Sequence, residues 1–179
     1  MVAMGGTVAF GSVPSPLGQV AIAMTEDGVA AVGWRDDPER RALIAARLGV
    51  PEVRDPARTA GAREQLAAYF DGRLTAFDLP LDWRLTTRVQ RQVLGTLYER
   101  VPYGRAVTYG ELAAMSGGAV PARAVGSIMG ANPIPIVVPC HRVVAGNGLG
   151  GFSGGEGVES KRWLLTLEGY LQPMLDWVL

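Results

Sequence analysis

The sequence predicts an α+β protein, and three features of the 179-residue chain support that prediction. Short β-compatible runs fill the N-terminal part, helix start and stop signals follow them, and a second group of helices dominates the C-terminal half. A boundary near residue 83 gives an N-terminal α/β domain, residues 1–83, with an antiparallel sheet and helices. The C-terminal domain, residues 84–179, is mostly helical.

Three β-compatible runs lie in residues 7–12, 19–25 and 29–34. Turn-forming residues separate them, and the pair Asp27-Gly28 is typical of a hairpin. We therefore expect three short antiparallel strands.

Two helices should follow the strands. The first begins after Asp36, with Pro38 in its first turn and Gly49 beyond its end. The second spans residues 60–71. Residues 78–83, which read DLPLDW, then form a linker or a short extended connector.

The C-terminal domain opens with a core helix, which starts at Thr86 or Thr87 and ends near Arg100. Two short helices, residues 108–117 and 122–132, are separated by a tight turn. This pair resembles a helix-turn-helix with the second helix as the reader, but the same spacing occurs in ordinary helical hairpins.

An extended run, residues 134–144, and a glycine-rich segment, residues 145–157, lead to a final amphipathic helix that contains Trp163 and Leu164. The glycine-rich segment lacks the lysine-serine ending of a phosphate-binding loop and does not follow a buried strand as a dinucleotide motif would. We therefore reject nucleotide binding.

The charge balance is neutral, with 17 basic and 17 acidic residues, which argues against a protein that coats nucleic acid. The charge is uneven along the chain: residues 1–85 carry −2, residues 86–155 carry +4 and residues 156–179 carry −2. No apolar run is long enough to span a membrane and no secretion signal is recognisable, so we expect a cytoplasmic protein without a membrane partner.

Cys140 and His141 are the only cysteine and the only histidine in the chain. A disulfide within the chain and a Cys/His zinc cluster are therefore impossible, and we expect no metal site. A reactive thiolate needs a nearby base. In an extended segment adjacent side chains point to opposite faces, so the thiol and the imidazole can couple only if the backbone turns after Pro139 or a water connects them. Glu168 is a candidate for fixing the histidine tautomer.

Several motifs stand in consistent order over residues 86–170. They are Arg123-Ala124-Val125-Gly126, Asn132-Pro133, Pro139-Cys140-His141-Arg142-Val143-Val144, Ser153-Gly154-Gly155 and the segment Trp163–Gly169. Together they resemble the O6-alkylguanine-DNA alkyltransferase (methylated-DNA-protein-cysteine methyltransferase) family. Residues 1–80 resemble it only in their strand and helix order. The resemblance implies a ribonuclease H-like N-terminal domain and a winged helix-turn-helix-like C-terminal domain.

The resemblance implies a DNA repair enzyme that works once. Such a protein flips O6-alkylguanine out of duplex DNA and transfers the alkyl group irreversibly to its own cysteine. It uses no cofactor and contacts the minor groove of double-stranded DNA. We expect a monomer, and whether it binds DNA cooperatively is open.

The same resemblance assigns catalytic roles. Cys140 accepts the alkyl group, His141 deprotonates it through a water, and Glu168 orients His141. Asn132 braces the turn, and Tyr109 donates a proton to the leaving guanine.

The resemblance also assigns contacts to the DNA. Arg123 enters the base stack in place of the flipped nucleotide. Small residues beside it allow close approach to the groove: Ala124, Gly126 and Ser127. Ser153 contacts the O6 region from a loop that also holds Phe152 and Gly154, while backbone carbonyls of Cys140 and Val143 recognise the exocyclic amine.

The sequence departs from the family at residues near the expected DNA contact, and the single thiol leaves other functions open. Gly130 replaces a basic residue of some relatives, and Glu156 and Glu159 put negative charge near the loop. Alkyltransferase-like proteins that only bind lesions lack the cysteine, so Cys140 speaks against that class. A cysteine hydrolase, a redox thiol protein and a regulatory DNA-binding module remain alternatives.

Overall fold

The computed structural model describes residues 6–173 and has the predicted α+β architecture. The ends of the two predicted domains, residues 1–5 and 174–179, lie outside the described residues. No helix among the described residues is long and apolar enough to cross a membrane.

Residue contacts divide the chain into two units. The N-terminal unit comprises Met1–Thr87 with Pro133–Pro135, and the C-terminal unit comprises Arg88–Asn132 with Ile136–Leu179. The boundary expected at residue 83 lies a few residues before this division.

The N-terminal unit contains a four-stranded sheet. Strands β1 (Val8–Ser15), β2 (Gly18–Thr25) and β3 (Gly28–Gly33) form the antiparallel meander that the turn signals predict. A fourth strand, β4 (Glu52–Val53), pairs parallel with β1 and gives the order β3-β2-β1-β4. Two residues are too few to show a strand periodicity, so the sequence analysis missed β4.

Residues 78–83 pair with the sheet. The N–H of Val29 donates to the Pro80 carbonyl over 2.9 Å, and Val29 and Leu81 form a bridge. The neighbouring Gly28 has φ +141°, and a Cβ there would lie 2.3 Å from the Pro80 oxygen. Glycine is required at this position because the connector approaches the hairpin so closely.

Two helices accompany the sheet, α1 (Pro38–Leu48) and α2 (Pro56–Phe70). In each, an aspartate caps the start and a proline opens the first turn. Helix α2 begins before the predicted residue 60 because Asp55 accepts a hydrogen bond from the Arg58 N–H.

In the C-terminal unit, helices α3 (Arg88–Arg100), α4 (Tyr109–Met115) and α5 (Ala122–Gly130) pack against one another. The last helix, α6 (Val158–Leu167), follows the glycine-rich segment. The core of this unit is built from fully buried aliphatic side chains: Val93, Leu94, Leu97, Leu112, Val125, Leu164 and Leu165.

A parallel pairing of two short strands places the segment that follows Cys140 beside α4. Strand β5 (Val107–Thr108) pairs with strand β6 (Val143–Val144). Thr108 then caps α4 through a reciprocal pair of hydrogen bonds with Glu111, which fixes where the helix starts. Tyr109, the first residue of α4, is placed by these contacts.

Candidate active site

The predicted extended run, residues 134–144, is wrong at its centre. Ile136 adopts φ +72°, and Cys140–Arg142 form a single turn of 3₁₀ helix in which the Arg142 N–H donates to the Pro139 carbonyl over 2.9 Å. The turn arises where the proline interrupts the strand pattern. It removes the strict alternation that would place Cys140 and His141 on opposite faces.

Asn132 braces the approach to this turn. Its side-chain Nδ2 donates to the Val138 carbonyl over 2.9 Å, and the same side chain hydrogen-bonds Cys140. The structure thus brings Asn132 to the cysteine, as the family resemblance implies.

Cys140 lies in a cavity of about 310 Å³, and 6% of the residue is exposed. The cavity is lined by residues from α4, α5, the 3₁₀ turn and the glycine-rich loop: Tyr109, Gly126, Met129, Gly130, Cys140, Gly151, Phe152 and Ser153. This volume lies at the lower end of the range for small-molecule binding sites.

Beside the cysteine, His141, Arg142 and Glu168 form a buried network. His141 Nε2 lies 2.7 Å from Glu168 Oε2, and the Arg142 guanidinium donates to both carboxylate oxygens, over 2.8 and 3.1 Å. Arg142 also donates to the Val101 carbonyl over 2.8 Å. The carboxylate is therefore fixed by a bidentate arginine that is itself anchored to the backbone.

The electrostatics of the network define the histidine tautomer. Burial alone would raise the pKa of Glu168, but His141 and Arg142 outweigh it and lower that pKa to about 2. Burial lowers the pKa of His141, against the opposing effect of Glu168. A neutral imidazole beside an ionised carboxylate donates from Nε2, which makes Nδ1 the acceptor. Nδ1 is buried and has no hydrogen-bond partner among the described residues.

The Cys140 thiol is held neutral at rest. Burial raises its pKa, while the Asn132 hydrogen bond and the charge of Lys161 act in the opposite direction. The thiol therefore needs a base to become a nucleophile, as the sequence analysis anticipates.

Tyr109 faces the cavity from the start of α4. Burial raises the pKa of Tyr109, against a backbone hydrogen bond from Gly151, so the phenol stays protonated at neutral pH. The loop passes very close to this hydroxyl: Gly150 has φ +75°, and a Cβ there would lie 2.7 Å from the tyrosine oxygen. A side chain at position 150 would displace the Tyr109 hydroxyl.

Helix α5 has one exposed face. Arg123 and Ser127 are exposed on it, Ala124 and Gly126 are partly exposed, and no described side chain caps its start. Spacings of three and four residues along a helix place Arg123, Ser127 and Gly130 on the same side. Apart from Arg123, the residues named on this side have small side chains or none.

Of the residues predicted to contact the flipped base, some line the cavity and others do not. Ser153 and Phe152 line the cavity, whereas Gly154 does not. Val143 is fully buried outside the cavity lining, and its carbonyl accepts a hydrogen bond from Lys161 over 2.6 Å. A carbonyl oxygen has a second lone pair, so this bond leaves capacity for another donor.

Two charged residues of the site were missed by the sequence analysis. Arg142 follows the Cys-His pair in the sequence as a source of positive charge, but its ion pair with Glu168 was not predicted. No role was predicted for Lys161, although it stands three, four and seven residues before Leu164, Leu165 and Glu168 and thus on the apolar face of its helix.

Among the described residues, no cluster of His, Cys, Asp and Glu could hold a metal ion.

Comparisons with known proteins show which family the chain resembles over its length. The model for the 6-O-methylguanine DNA methyltransferase ribonuclease-like domain matches residues 8–83, and the model for the DNA binding domain of the same family matches residues 88–170. A methylated-DNA–protein-cysteine methyltransferase of Mycolicibacterium paratuberculosis is 41% identical over 90% of this chain and 92% of its own length. Another, from Salmonella typhimurium, is 40% identical over 89% and 94%.

Solved structures agree as well. A crystal structure of Mycobacterium tuberculosis OGT in complex with DNA superposes with a TM-score of 0.74 at 38% identity, covering 90% of this chain and 92% of that one. The two matching domain models together span most of the sequence, and the relatives are matched over nearly their whole length. The chain therefore belongs to the methylated-DNA–protein-cysteine methyltransferase family.

Proposed function

We propose that this protein repairs O6-alkylguanine in duplex DNA by flipping the damaged base into the cavity and transferring its alkyl group irreversibly to Cys140. One observation carries the proposal: the only thiol of the chain lines a cavity, and the residue after it is a buried imidazole held by a carboxylate. All side chains assigned to the reaction belong to the C-terminal unit, so we infer that one copy of the chain suffices.

The transfer is a nucleophilic displacement. The thiol proton passes through a water to His141 Nδ1, and the thiolate sulfur attacks the alkyl carbon. The S–C bond forms as the bond from carbon to O6 breaks, and the electron pair remains on the guanine. Tyr109 donates its proton to the guanine, and the proton held on His141 then restores the phenol, so that the net change moves one proton from the thiol to the guanine.

The histidine is suited to this transfer by its surroundings. Because Glu168 is ionised and accepts from Nε2, the lone pair of Nδ1 is directed away from the carboxylate. As His141 gains a proton, the Glu168 charge stabilises the imidazolium.

Single turnover follows from the product. The product is a thioether, a thiolate is a poor leaving group from its alkyl carbon, and nothing in the proposed chemistry transfers the alkyl group to another acceptor. The protein is then consumed in proportion to the lesions that it repairs.

The exposed face of α5 is the proposed contact with the minor groove. The minor groove carries a degenerate code, which suits a protein that must inspect any sequence. The small residues of this face admit close approach, and Arg123 fills the space that the flipped nucleotide leaves. The +4 charge of residues 86–155 supports a contact with phosphates in this unit.

The loop and the turn supply contacts to the flipped base. Ser153 faces the cavity and would contact the O6 region. The Cys140 carbonyl and the second lone pair of the Val143 carbonyl would accept from the exocyclic amine.

The decisive experiment is a stoichiometric transfer assay with duplex DNA that carries a radiolabelled O6-methylguanine. We expect label on the Cys140 peptide, with a plateau at one methyl group per protein, and no label on the Cys140→Ser variant. Repeated turnover, or label elsewhere in the chain, would show that the protein works differently.

The DNA contact is tested with Arg123→Ala and with Arg73→Ala as the matched control, because Arg73 is an exposed arginine of the N-terminal unit. We expect Arg123→Ala to reduce transfer more than it reduces binding to undamaged duplex. Equal losses in both assays would assign Arg123 to backbone binding instead of base flipping.

A further inference from the structure

Ser160 is a buried polar residue of α6 that the proposed transfer chemistry does not use. It is 3% exposed, and its Oγ accepts a hydrogen bond from the backbone N–H of Glu156 over 2.8 Å. A serine within a helix usually faces solvent or bonds to the preceding turn of its own helix. Here the hydroxyl oxygen instead binds a residue outside the helix, in the glycine-rich loop.

This hydrogen bond is one half of a helix cap. Helix α6 begins after Gly157, which has no side chain to accept the first free N–H groups. Ser160 occupies the third position of the helix, from which a side chain can reach back to an N–H group that precedes the helix. Ser160 therefore fastens the end of the loop to α6.

The fastened part of the loop is a tight turn at residues 154–157. The Gly157 N–H donates to the Gly154 carbonyl over 2.9 Å, and Gly155 and Gly157 adopt φ +51° and φ +68°. A Cβ on Gly157 would lie 3.5 Å from the Phe152 carbonyl oxygen. The turn thus folds back onto a residue that lines the cavity.

The residues just before this turn lie between the solvent and the thiol. Phe152 and Ser153 line the cavity together with Cys140. Only 6% of Cys140 is exposed, so a reagent must pass the residues of the cavity wall to reach the sulfur. The position of the loop therefore affects both access to the thiol and the orientation of a base in the cavity.

We propose that Ser160 is a positioning residue for alkyl transfer, whose hydroxyl oxygen holds the turn at residues 154–157 so that Phe152 and Ser153 stay at the cavity. The inference rests on the proposed function, because it assigns a role within the same site. It extends that function by a residue that acts through the loop and takes no part in the proton transfers.

The proposal predicts opposite effects on two reactions of Cys140. When the loop moves away from the cavity, a small reagent reaches the thiol more easily. A guanine base, by contrast, loses contacts that align its alkyl carbon with the sulfur, and misalignment slows the displacement.

Ser160→Ala removes the acceptor and keeps most of the side-chain volume. We expect single-turnover transfer from O6-methylguanine DNA to slow roughly fivefold, the factor that one ordinary hydrogen bond is worth, and iodoacetamide to alkylate Cys140 faster by a similar factor. Mass spectrometry measures both rates, which are corrected for the folded fraction. If either change is missing, the proposal is wrong.

Ser116→Ala is the matched control. Ser116 is also buried in the C-terminal unit, and its hydroxyl donates to the Leu112 carbonyl over 2.8 Å at the end of α4. The control variant thus loses one buried hydroxyl bond of the same length, but outside the loop. Neither rate should change. The same pair of changes in Ser116→Ala would show that Ser160 acts only through the stability of the unit.

Hydrogen exchange locates the effect within the chain. The Glu156 amide should be protected in the unmodified protein, and Ser160→Ala should raise exchange in a peptide that spans residues 152–157 without raising it in α3 or α5. Faster exchange throughout the C-terminal unit would overturn the proposal.

A second variant tests the same turn from its exposed side. Gly155→Ala places a side chain at φ +51°, where alanine is strained, without touching α6. We expect slower methyl transfer and faster alkylation, as in Ser160→Ala. If Ser160→Ala does not fold, this variant decides, and unaltered rates in it would overturn the proposal.

The alkylation and exchange measurements contain no DNA, so the two hypotheses fail separately. Faster alkylation of Ser160→Ala, in a protein that takes no methyl group from O6-methylguanine DNA, would overturn the proposed function and leave the hold of Ser160 on the loop. Normal methyl transfer by the unmodified protein, with alkylation unchanged in Ser160→Ala, would overturn the role of Ser160 alone.

Discussion

Each unit of the protein holds a buried carboxylate that is paired with an arginine. In the N-terminal unit, Asp82 accepts from the Thr25 hydroxyl over 2.5 Å and lies 2.9 Å from Arg84. In the C-terminal unit, Glu168 binds His141 and Arg142. In both cases burial alone would raise the pKa of the carboxyl, and the partners lower it instead.

The two sites differ in what the third partner can do. The Thr25 hydroxyl does not titrate, so the Asp82 network only stabilises the sheet and its connector. The imidazole of His141 has a second nitrogen, Nδ1, which is buried and has no hydrogen-bond partner among the described residues. The same electrostatic arrangement is structural in one unit and, by our proposal, catalytic in the other.

The largest expected effect is a difference in methyl-transfer rate between variants of the two carboxylates. Glu168→Gln keeps the shape but removes the charge that orients and stabilises His141, so we expect methyl transfer to slow roughly a hundredfold. Asp82→Asn is the matched change in the N-terminal unit and should leave the rate per folded protein unchanged. Single-turnover assays on both variants, corrected for the folded fraction, measure the contrast. A similar loss in both would mean that carboxylate burial affects transfer only through stability.

The next largest expected effect is the loss, at low pH, of the unfolding free energy that each carboxylate contributes. Glu168 has a folded pKa of about 2 against a reference of 4.5, so its contribution is complete above pH 4.5 and is lost as the pH falls towards 2. The contribution is on the order of 3 kcal/mol. The effect of Asp82 has the same sign, and we expect it to be smaller because the Arg84 side chain is 36% exposed.

Hydrogen exchange, measured peptide by peptide between pH 5 and pH 2, distinguishes the two contributions. Glu168→Gln should flatten the pH dependence of protection in the C-terminal unit, and Asp82→Asn should flatten it in the N-terminal unit. Loss of pH dependence in the opposite unit would contradict the assignment.

The contrast between the units also shows what could be predicted from the sequence. Strands β1 to β3 and the two helices of the N-terminal unit follow from local signals, such as the turn at Asp27-Gly28 and the helix end at Gly49, whereas the two-residue β4 does not. Cys140 and His141 were singled out as the only cysteine and histidine of the chain, with Glu168 as a candidate partner, and the family motifs then assigned their roles. Their roles in catalysis stay predictions.

What the sequence did not reveal depends on contacts between distant segments. The 3₁₀ turn at Cys140 requires the unusual backbone at Ile136 and the brace from Asn132, and no local pattern specifies either. Arg142 forms its ion pair with a residue at the end of α6. Lys161 was not singled out from the sequence, although its helical spacing to apolar residues was a usable signal.

Alkylation of Cys140 should weaken the C-terminal unit alone. The added group enters the cavity beside the thiol and removes the ionisable sulfur that hydrogen-bonds Asn132 and interacts with the charge of Lys161. We expect iodoacetamide-treated protein to melt several degrees lower and to lose exchange protection in the C-terminal unit but not in the sheet. Equal or higher melting would contradict the proposed coupling of the thiol to its surroundings.

Thr25→Val should have the smallest effect. It deletes one hydroxyl from the Asp82 network and keeps the volume nearly constant, while Asp82 retains its ion pair and a hydrogen bond from the Arg84 N–H. We expect a loss of about 1 kcal/mol in unfolding free energy, seen by urea titration, and no change in the rate of methyl transfer. The corresponding change in the other network, His141→Gln, also removes the third partner of a fixed carboxylate but should abolish most of the transfer. If Thr25→Val slowed transfer as His141→Gln does, the distinction between the two networks would fail, because a partner that cannot accept a proton would then matter as much as one that can.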